Sequence, residues 1–279
     1  MTTGVFAIVL LAAVLHATWN ALVKASADRA IILALISFGH FVLGGIAALF
    51  VPIPAVESWP FIALSTVIHW AYYFTLFHSY RLGDLSRVYP IARGIAPVLV
   101  ALGAQYIVGE VLPFAVWVGV LTVSAGIMLL AKESTPTANS SAATLVALAT
   151  GFCIASYSIT DGMGVRVAQS VIGYVAWLFI GEVFVALFLF YKKRHQIIKQ
   201  QKSVWLVGLL GGVVSGIAYG LVIYAKSLTL LALVSTLRET SVIFAALIGI
   251  IMFGERPWKS RILASCFVLI GVVIMALAA

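Results

Sequence analysis

Lys132-Glu133-Ser134-Thr135-Pro136-Thr137-Ala138-Asn139-Ser140-Ser141-Ala142-Ala143 is the one polar, Pro/Ser/Thr-rich linker in the chain, and it falls close to the middle of 279 residues. Long apolar stretches with brief connections lie on either side. Five precede it, at roughly 4–23, 30–50, 60–80, 87–108 and 113–131. Five follow, at roughly 144–164, 171–191, 204–225, 230–253 and 258–278. A helix needs about 20 apolar residues to cross the hydrocarbon core of a bilayer. The pattern therefore predicts an all-α integral membrane protein of ten transmembrane helices, with five-helix units at 1–131 and 144–279 and the linker at 132–143.

Composition agrees. The chain is 63% hydrophobic and 9% charged, with a mean hydropathy of +1.15, whereas a soluble domain carries about 25% charged residues. Ten spans leave little chain for an aqueous domain, which argues against a receptor with a globular head or a membrane-anchored soluble enzyme. The net charge of +8 is no nucleic-acid signal, because the positives sit at helix ends and in one short run, Lys192, Lys193, Arg194, Lys199 and Lys202. Cys153 and Cys266 both lie in apolar stretches without a CxxC or Cys/His pattern, so neither a disulfide nor a metal site is expected. The N-terminus lacks a basic n-region and reads as a retained helix, not a signal peptide.

The two halves repeat. At a common offset of 145 residues, Arg93 falls on Arg238, Gly109-Glu110 on Gly254-Glu255, Ala101-Leu102 on Ala246-Leu247, and Gly126 on Gly271. Apolar identities are cheap in membrane sequences; paired arginines and Gly-Glu dipeptides are not. An odd number of spans per half gives the second half the opposite orientation. Inverted halves are an architecture of alternating-access transporters, with the solute held near the midplane.

Loop charge sets the expected orientation. With the N-terminus outside, the cytoplasmic connections hold Lys24, Arg29, Arg81, Arg87, Lys132, the five residues of the 192–202 run, Arg256, Lys259 and Arg261. The other side holds only Arg166 and Lys226. That bias predicts both termini on the extracytoplasmic side.

Ionisable residues inside spans usually face the protein interior or a water-filled pathway. The fourth span carries Tyr89-Pro90-Ile91-Ala92-Arg93-Gly94-Ile95-Ala96-Pro97, where two prolines and a glycine should loosen the helix. Tyr89 and Arg93, four apart, share a face. The ninth span reads Ser235-Thr236-Leu237-Arg238-Glu239-Thr240-Ser241, the most polar run within any span. Arg93 and Arg238 are expected to flank a central cavity and hold an anionic group, or else to tie helices together. Glu239 either neutralises an arginine or is a proton-coupling carboxylate, and the structural pairing is favoured. Glu110 and Glu255 each follow a glycine at a span end and read as turn elements.

His16, Trp19 and Asn20 lie on one face of the first span, and His16 with Asn20 is the leading pair there. The third span offers His69, Trp70, Tyr72 and Tyr73, with His78 and Tyr80 near its end. The sixth offers Tyr157 and Asp161, and the eighth Tyr219 and Tyr224. Singly these are packing or interface residues. Gathered between helices, they suit a small polar or zwitterionic solute, or an aromatic cage for an alkylammonium group. Arg93, Arg238, Glu239, Tyr89, His16, Trp19, Asn20, His69, Tyr73 and Tyr219 are the candidate solute-binding residues.

An arginine-bearing span followed by Gly-Glu and a Gly-containing apolar span, present in each half, resembles the EamA repeat of the drug/metabolite transporter superfamily, over nearly the whole chain. His16-Ala17-Thr18-Trp19-Asn20 and the run from Tyr80 to Gly94 look like a subfamily associated with phosphonate utilisation. The resemblance implies a ten-helix fold and movement of small metabolites, amino acids among them, across the cell (inner) membrane. Many relatives place both termini in the cytoplasm and carry basic residues between spans two and three. Here that connection, Val51 to Trp59, holds Glu57 and no Lys or Arg.

An intramembrane enzyme would need a convergent nucleophile and base or a metal cluster. Neither a serine-nucleophile motif nor HExxH occurs, and the five histidines are scattered. A channel would show a charge ring or filter motif. An accessory membrane protein without transport activity remains the alternative from another class. With no Walker-type loop, the expected partners are a small-molecule solute, the bilayer, and a coupling proton or counter-solute. No cofactor and no nucleic acid are expected, and the protein is read as a monomer or homodimer.

Overall fold

The computed structural model describes residues 1–26, 28–82, 85–131, 140–254, 256 and 258–278. Twelve α-helices follow in order: α1 (Thr3–Ala25), α2 (Arg29–Ala48), α3 (Trp59–Leu82), α4 (Leu85–Tyr106), α5 (Phe114–Ala131), α6 (Ser140–Val167), α7 (Val171–Gly181), α8 (Val183–Ile197), α9 (Lys202–Leu228), α10 (Leu231–Arg238), α11 (Ser241–Phe253) and α12 (Trp258–Ala278). One 3₁₀ turn, Val56–Ser58, precedes α3. α7 with α8, and α10 with α11, each make one broken span. Among the described residues ten helical stretches are long and apolar enough to cross a membrane, so this is a multi-pass membrane protein. Linker residues 132–139 and Glu255 lie outside the described residues.

The helix ends are set locally. Asp28 caps α2 through Oδ1, which accepts from the backbone N–H groups of Ala30 and Ile31 at 3.0 and 3.2 Å. Its other oxygen meets Lys193 Nζ at 3.0 Å, which pins the basic run to the α1–α2 turn. The repeated Gly-Glu dipeptide begins in both halves with a left-handed glycine, Gly109 (φ +79°) and Gly254 (φ +60°). That conformation ends a helix at little cost only without a Cβ.

Packing pairs the halves. α3 and α4 lie on α6, while α1 and α2 lie on α9; α5 packs on α12 and α2 on α7. A core of buried side chains from α1, α4, α5, α6, α9, α10 and α12, including Val9, Val100, Val120, Ala155, Val222, Leu233 and Val268, fills one side of the bundle. Leu11, Phe74, Phe152, Phe184 and Leu269 point outward and exposed, as lipid-facing residues do.

Two irregularities reverse the expectation for the broken helix. α4 runs unbroken through Pro90 and Pro97. Each proline removes a single N–H donor, and close neighbours grip the helix on both flanks. A Cβ on Gly151 of α6 would come within 2.8 Å of the Ala92 carbonyl, and one on Gly94 within 2.7 Å of Met128 of α5. The break falls instead in span nine, which has no proline. There Glu239, Thr240, Val242 and Ile243 each donate to the carbonyl three residues back, at 2.9 to 3.0 Å. The Thr240 hydroxyl also bonds the Leu237 carbonyl at 2.8 Å. Hydroxyl side chains compete for backbone groups in this way and tighten a turn.

The α2–α9 contact depends on glycine at its closest point. A Cβ on Gly212 would lie 2.7 Å from the Ile36 carbonyl oxygen and 2.9 Å from Gly39 Cα. Gly45, also on α2, has nothing within 4 Å of the same position. Gly212→Ala should lower thermal stability of the detergent-solubilised protein, by about 1–3 kcal/mol. Gly45→Ala should leave it unchanged or raise it, by up to about 1 kcal/mol. Melting of both variants checks the contact.

Candidate functional site

A cavity of about 90 Å³ lies in the middle of the bundle, lined by α1, α2, α3, α4, α6, α9, α10 and Glu182 at the α7–α8 break. Nine of the residues expected from sequence line it: His16, Trp19, Asn20, His69, Tyr73, Tyr89, Arg93, Tyr219 and Arg238. Glu239 is absent from the lining and stands behind the arginines. Tyr72 and Tyr157 also line the cavity. Trp70 and Tyr224 are exposed on the outside of the bundle, and His78 bonds its own helix at the Phe74 carbonyl.

The His16–Asn20 pair does not form between side chains. Trp19 Nε1 donates to His16 Nδ1 at 3.2 Å, and Asn20 Nδ2 donates to the His16 backbone carbonyl at 2.7 Å. Residues four apart on a helix offer the carbonyl as readily as the ring, and the indole takes the ring nitrogen. His69 stacks on Tyr157 with centroids 4.3 Å apart, and Tyr72 and Tyr219 stand edge-on to Tyr157. Tyr219 is itself held by Asp161, which also accepts from Tyr174 at 2.9 Å.

At the span-nine break Glu239 lies between Arg93 and Arg238. Its Oε2 is 2.8 Å from Arg93 Nη2, and its Oε1 is 4.0 Å from Arg238 Nη2. All three side chains are 6% exposed or less. The arginine adjacent in sequence is the more distant partner, since neighbours on a helix point apart. Two guanidinium groups thus share one carboxylate, and one positive charge is left over among the three. Arg93 Nε, Ser235 Oγ and Thr236 Oγ1 are buried there without hydrogen-bond partners among the described residues.

The opposite wall carries a second charged group that the sequence reading did not single out. Glu182 Oε2 sits 2.7 Å from His40 Nδ1 and accepts from the Tyr73 hydroxyl at 3.3 Å. His40 Nε2 is 3.0 Å from Ser215 Oγ. Trp70 Nε1 donates to the Gly181 carbonyl at 3.2 Å, and Ser37 Oγ to the Glu182 carbonyl at 3.0 Å. These side chains satisfy carbonyls at the break that hydrocarbon could not. A carboxylate inside an apolar span was the available signal; the uniform hydropathy around Gly181-Glu182 obscured it.

The end of the bundle at 107–113, 166–170 and 229–231 is tied by Glu110. Both its oxygens accept from the Leu231 N–H, at 3.0 and 2.9 Å, capping α10. Oε1 also meets Arg166 Nη2 at 2.7 Å. Arg166 further donates to the Lys226 and Thr229 carbonyls, at 3.2 and 2.9 Å. Lys226, counted from sequence as a loop charge, is fully buried within α9, and its Nζ donates to the Ser158 carbonyl at 2.9 Å. It therefore does not belong to the loop-charge tally. Its position near a span end gave no hint of which way its side chain turns.

Residues 141–277, the second half of the chain, match the EamA-like transporter family. An uncharacterized transporter from the region 3′ of cobO in Sinorhizobium sp. is 36% identical over 75 residues. That stretch is 27% of this chain and 52% of the relative, so the match spans about half the relative's length. A solved crystal structure, described only as that of a protein, aligns over 100% of this chain and 98% of its own with a TM-score of 0.78. At 20% identity that likeness is one of fold.

The Glu110 tie is testable by a double-mutant cycle. Glu110→Ala and Arg166→Ala should each lower the melting temperature. The Glu110 change should cost more, because it also uncaps α10, a loss of about 0.5–2 kcal/mol. The double variant should fall short of the sum of the two singles; strict additivity would count against a direct pair.

Proposed function

We propose that this protein is a secondary transporter that moves a small polar metabolite across the cell (inner) membrane by alternating access. One observation carries the reading: a polar cavity in mid-bundle is lined by spans from both halves, with charged groups set at the breaks of two of those spans. Discontinuous helices flanking a midplane cavity are how many carriers expose backbone and charge to a solute. The crossed packing of α3 on α6 and α1 on α9 fits two inverted five-helix units that rock about this cavity.

The solute is an amino acid, an aminophosphonate or a similar zwitterion or anion. Its acid group meets Arg238, where the guanidinium fork matches carboxylate or phosphonate geometry. Arg93, paired to Glu239 at 2.8 Å, holds the turn that presents Arg238. The rings of Tyr72, Tyr157, Tyr219 and His69 form the adjoining wall. Those rings also favour a second reading, an organic cation held over aromatic faces. Loop charge, with Lys226 removed, still favours an orientation with both termini on the extracytoplasmic side.

The experiment is flux in proteoliposomes across a panel of amino acids, aminophosphonates and quaternary amines. Saturable, competitor-sensitive uptake of an acid-bearing solute is the expected result, and no flux across the panel would sink the reading. Arg238→Gln should abolish uptake of acid-bearing solutes while melting like the wild type. Arg93→Gln should lose both uptake and stability, because Glu239 is left buried without its partner, a loss of about 3–5 kcal/mol. Uptake preserved in Arg238→Gln but only for quaternary amines would select the cation reading. A cytoplasm-only reporter fused to the C-terminus should stay inactive; activity there would reverse the orientation.

A further inference from the structure

We propose that the His40–Glu182 pair is the site at which this protein binds a coupling proton, a role that rests on the transport reading above. The two residues come from opposite halves of the chain. Glu182 occupies the break between α7 and α8 and His40 the middle of α2, and both line the cavity. At 2.7 Å between Nδ1 and Oε2 one hydrogen lies between ring and carboxylate. His40 is 5% and Glu182 2% exposed, so their only route to protons is the cavity itself.

The surroundings accept either protonation state. With one proton on Nδ1, the neutral ring donates to Glu182, and Nε2 accepts from the Ser215 hydroxyl 3.0 Å away. A second proton, taken from the cavity onto Nε2, makes an imidazolium that donates to the same hydroxyl oxygen. A hydroxyl can donate or accept, so no hydrogen bond is lost and the pair goes from a net charge of −1 to zero. The Tyr73 hydroxyl donates to Glu182 in both states. Ser37 and Trp70 hold the carbonyls of the break independently of the proton.

The groups that face Glu182 leave it this freedom. α2 presents His40 and α3 presents Tyr73 and His69, while from α9 Ser215 meets the far side of the His40 ring. Among the described residues its one salt-bridge partner is His40. Glu239 is placed differently. It lies between Arg93 and Arg238, and protonating it would leave two buried, permanent cations without a counter-ion. Histidine is the side chain whose charge changes near neutral pH. Because α2 and the α7–α8 break belong to different halves, a charge change at this contact alters how firmly the halves hold each other.

The test uses the full chain in liposomes, with radiolabelled 2-aminoethylphosphonate and alanine as probes and an imposed pH gradient. Wild-type accumulation should rise by up to about tenfold per pH unit, the limit for one proton per solute. Glu182→Gln and His40→Gln should each flatten that response to less than about twofold, whatever their absolute rates, against the tenfold-per-1.4 kcal/mol scale of the wild type. A gradient response retained in Glu182→Gln overturns the proposal. Nitrogen-15 NMR of the histidine rings in the same liposomes gives a readout that needs no solute. The signal missing from His40→Gln should report both neutral and charged rings as the pH of the liposomes is varied, and Glu182→Gln should change their proportion. Titration without flux of either probe would remove the transport reading and keep the proton site; flux with a ring fixed in one state would do the reverse.

Discussion

Hydrocarbon offers no hydrogen-bond partner, and most of this chain's irregular features follow from that constraint. A soluble protein can turn a helix end or a stray charge toward water. Here each must be met by another part of the chain or by the cavity. The interruption in span nine brings Glu239 between two arginines. That in span seven has its carbonyls taken up by Trp70 and Ser37. The start of α10 is closed by a carboxylate from the α4–α5 turn. Irregular backbone and charge gather together because each supplies what the other lacks.

This accounting explains the two poles of the cavity. The arginine pole combines permanent charges and keeps an excess of positive charge. The histidine–glutamate pole is built from a group whose charge changes with its proton. Aromatic rings separate them, His69 stacked on Tyr157 with Tyr219 steadied by Asp161. Permanent charge and a titratable pair thus occupy distinct places around one cavity.

Much of the fold was legible in the sequence, because ten apolar runs of spanning length leave few alternatives once a bilayer is the solvent. The central arginines were legible too, since charge within a span is rare enough to mark the interior. The position of the helix break was not. Pro90 and Pro97 look like breakers locally, yet α5 and α6 pack closely enough on α4 to keep it whole. The run 235–241 carries the break through hydroxyl groups, a weaker local signal. His40 and Glu182 stand 142 residues apart, so neither announces the other. The same holds for Lys226, whose side chain turns inward to the Ser158 carbonyl.

α10 has eight residues, about 12 Å of rigid helix at 1.5 Å per residue. Its first N–H is clasped by Glu110, and its last residue is Arg238. The rod joins a turn of the first half at one end of the bundle to the cavity-lining guanidinium near the middle. A shift of the α4–α5 turn along the membrane normal would travel down α10 undiminished and be absorbed at the tight Glu239–Thr240 turn. The clasp and the arginine are therefore the two ends of one lever, with its fulcrum where the backbone is already bent.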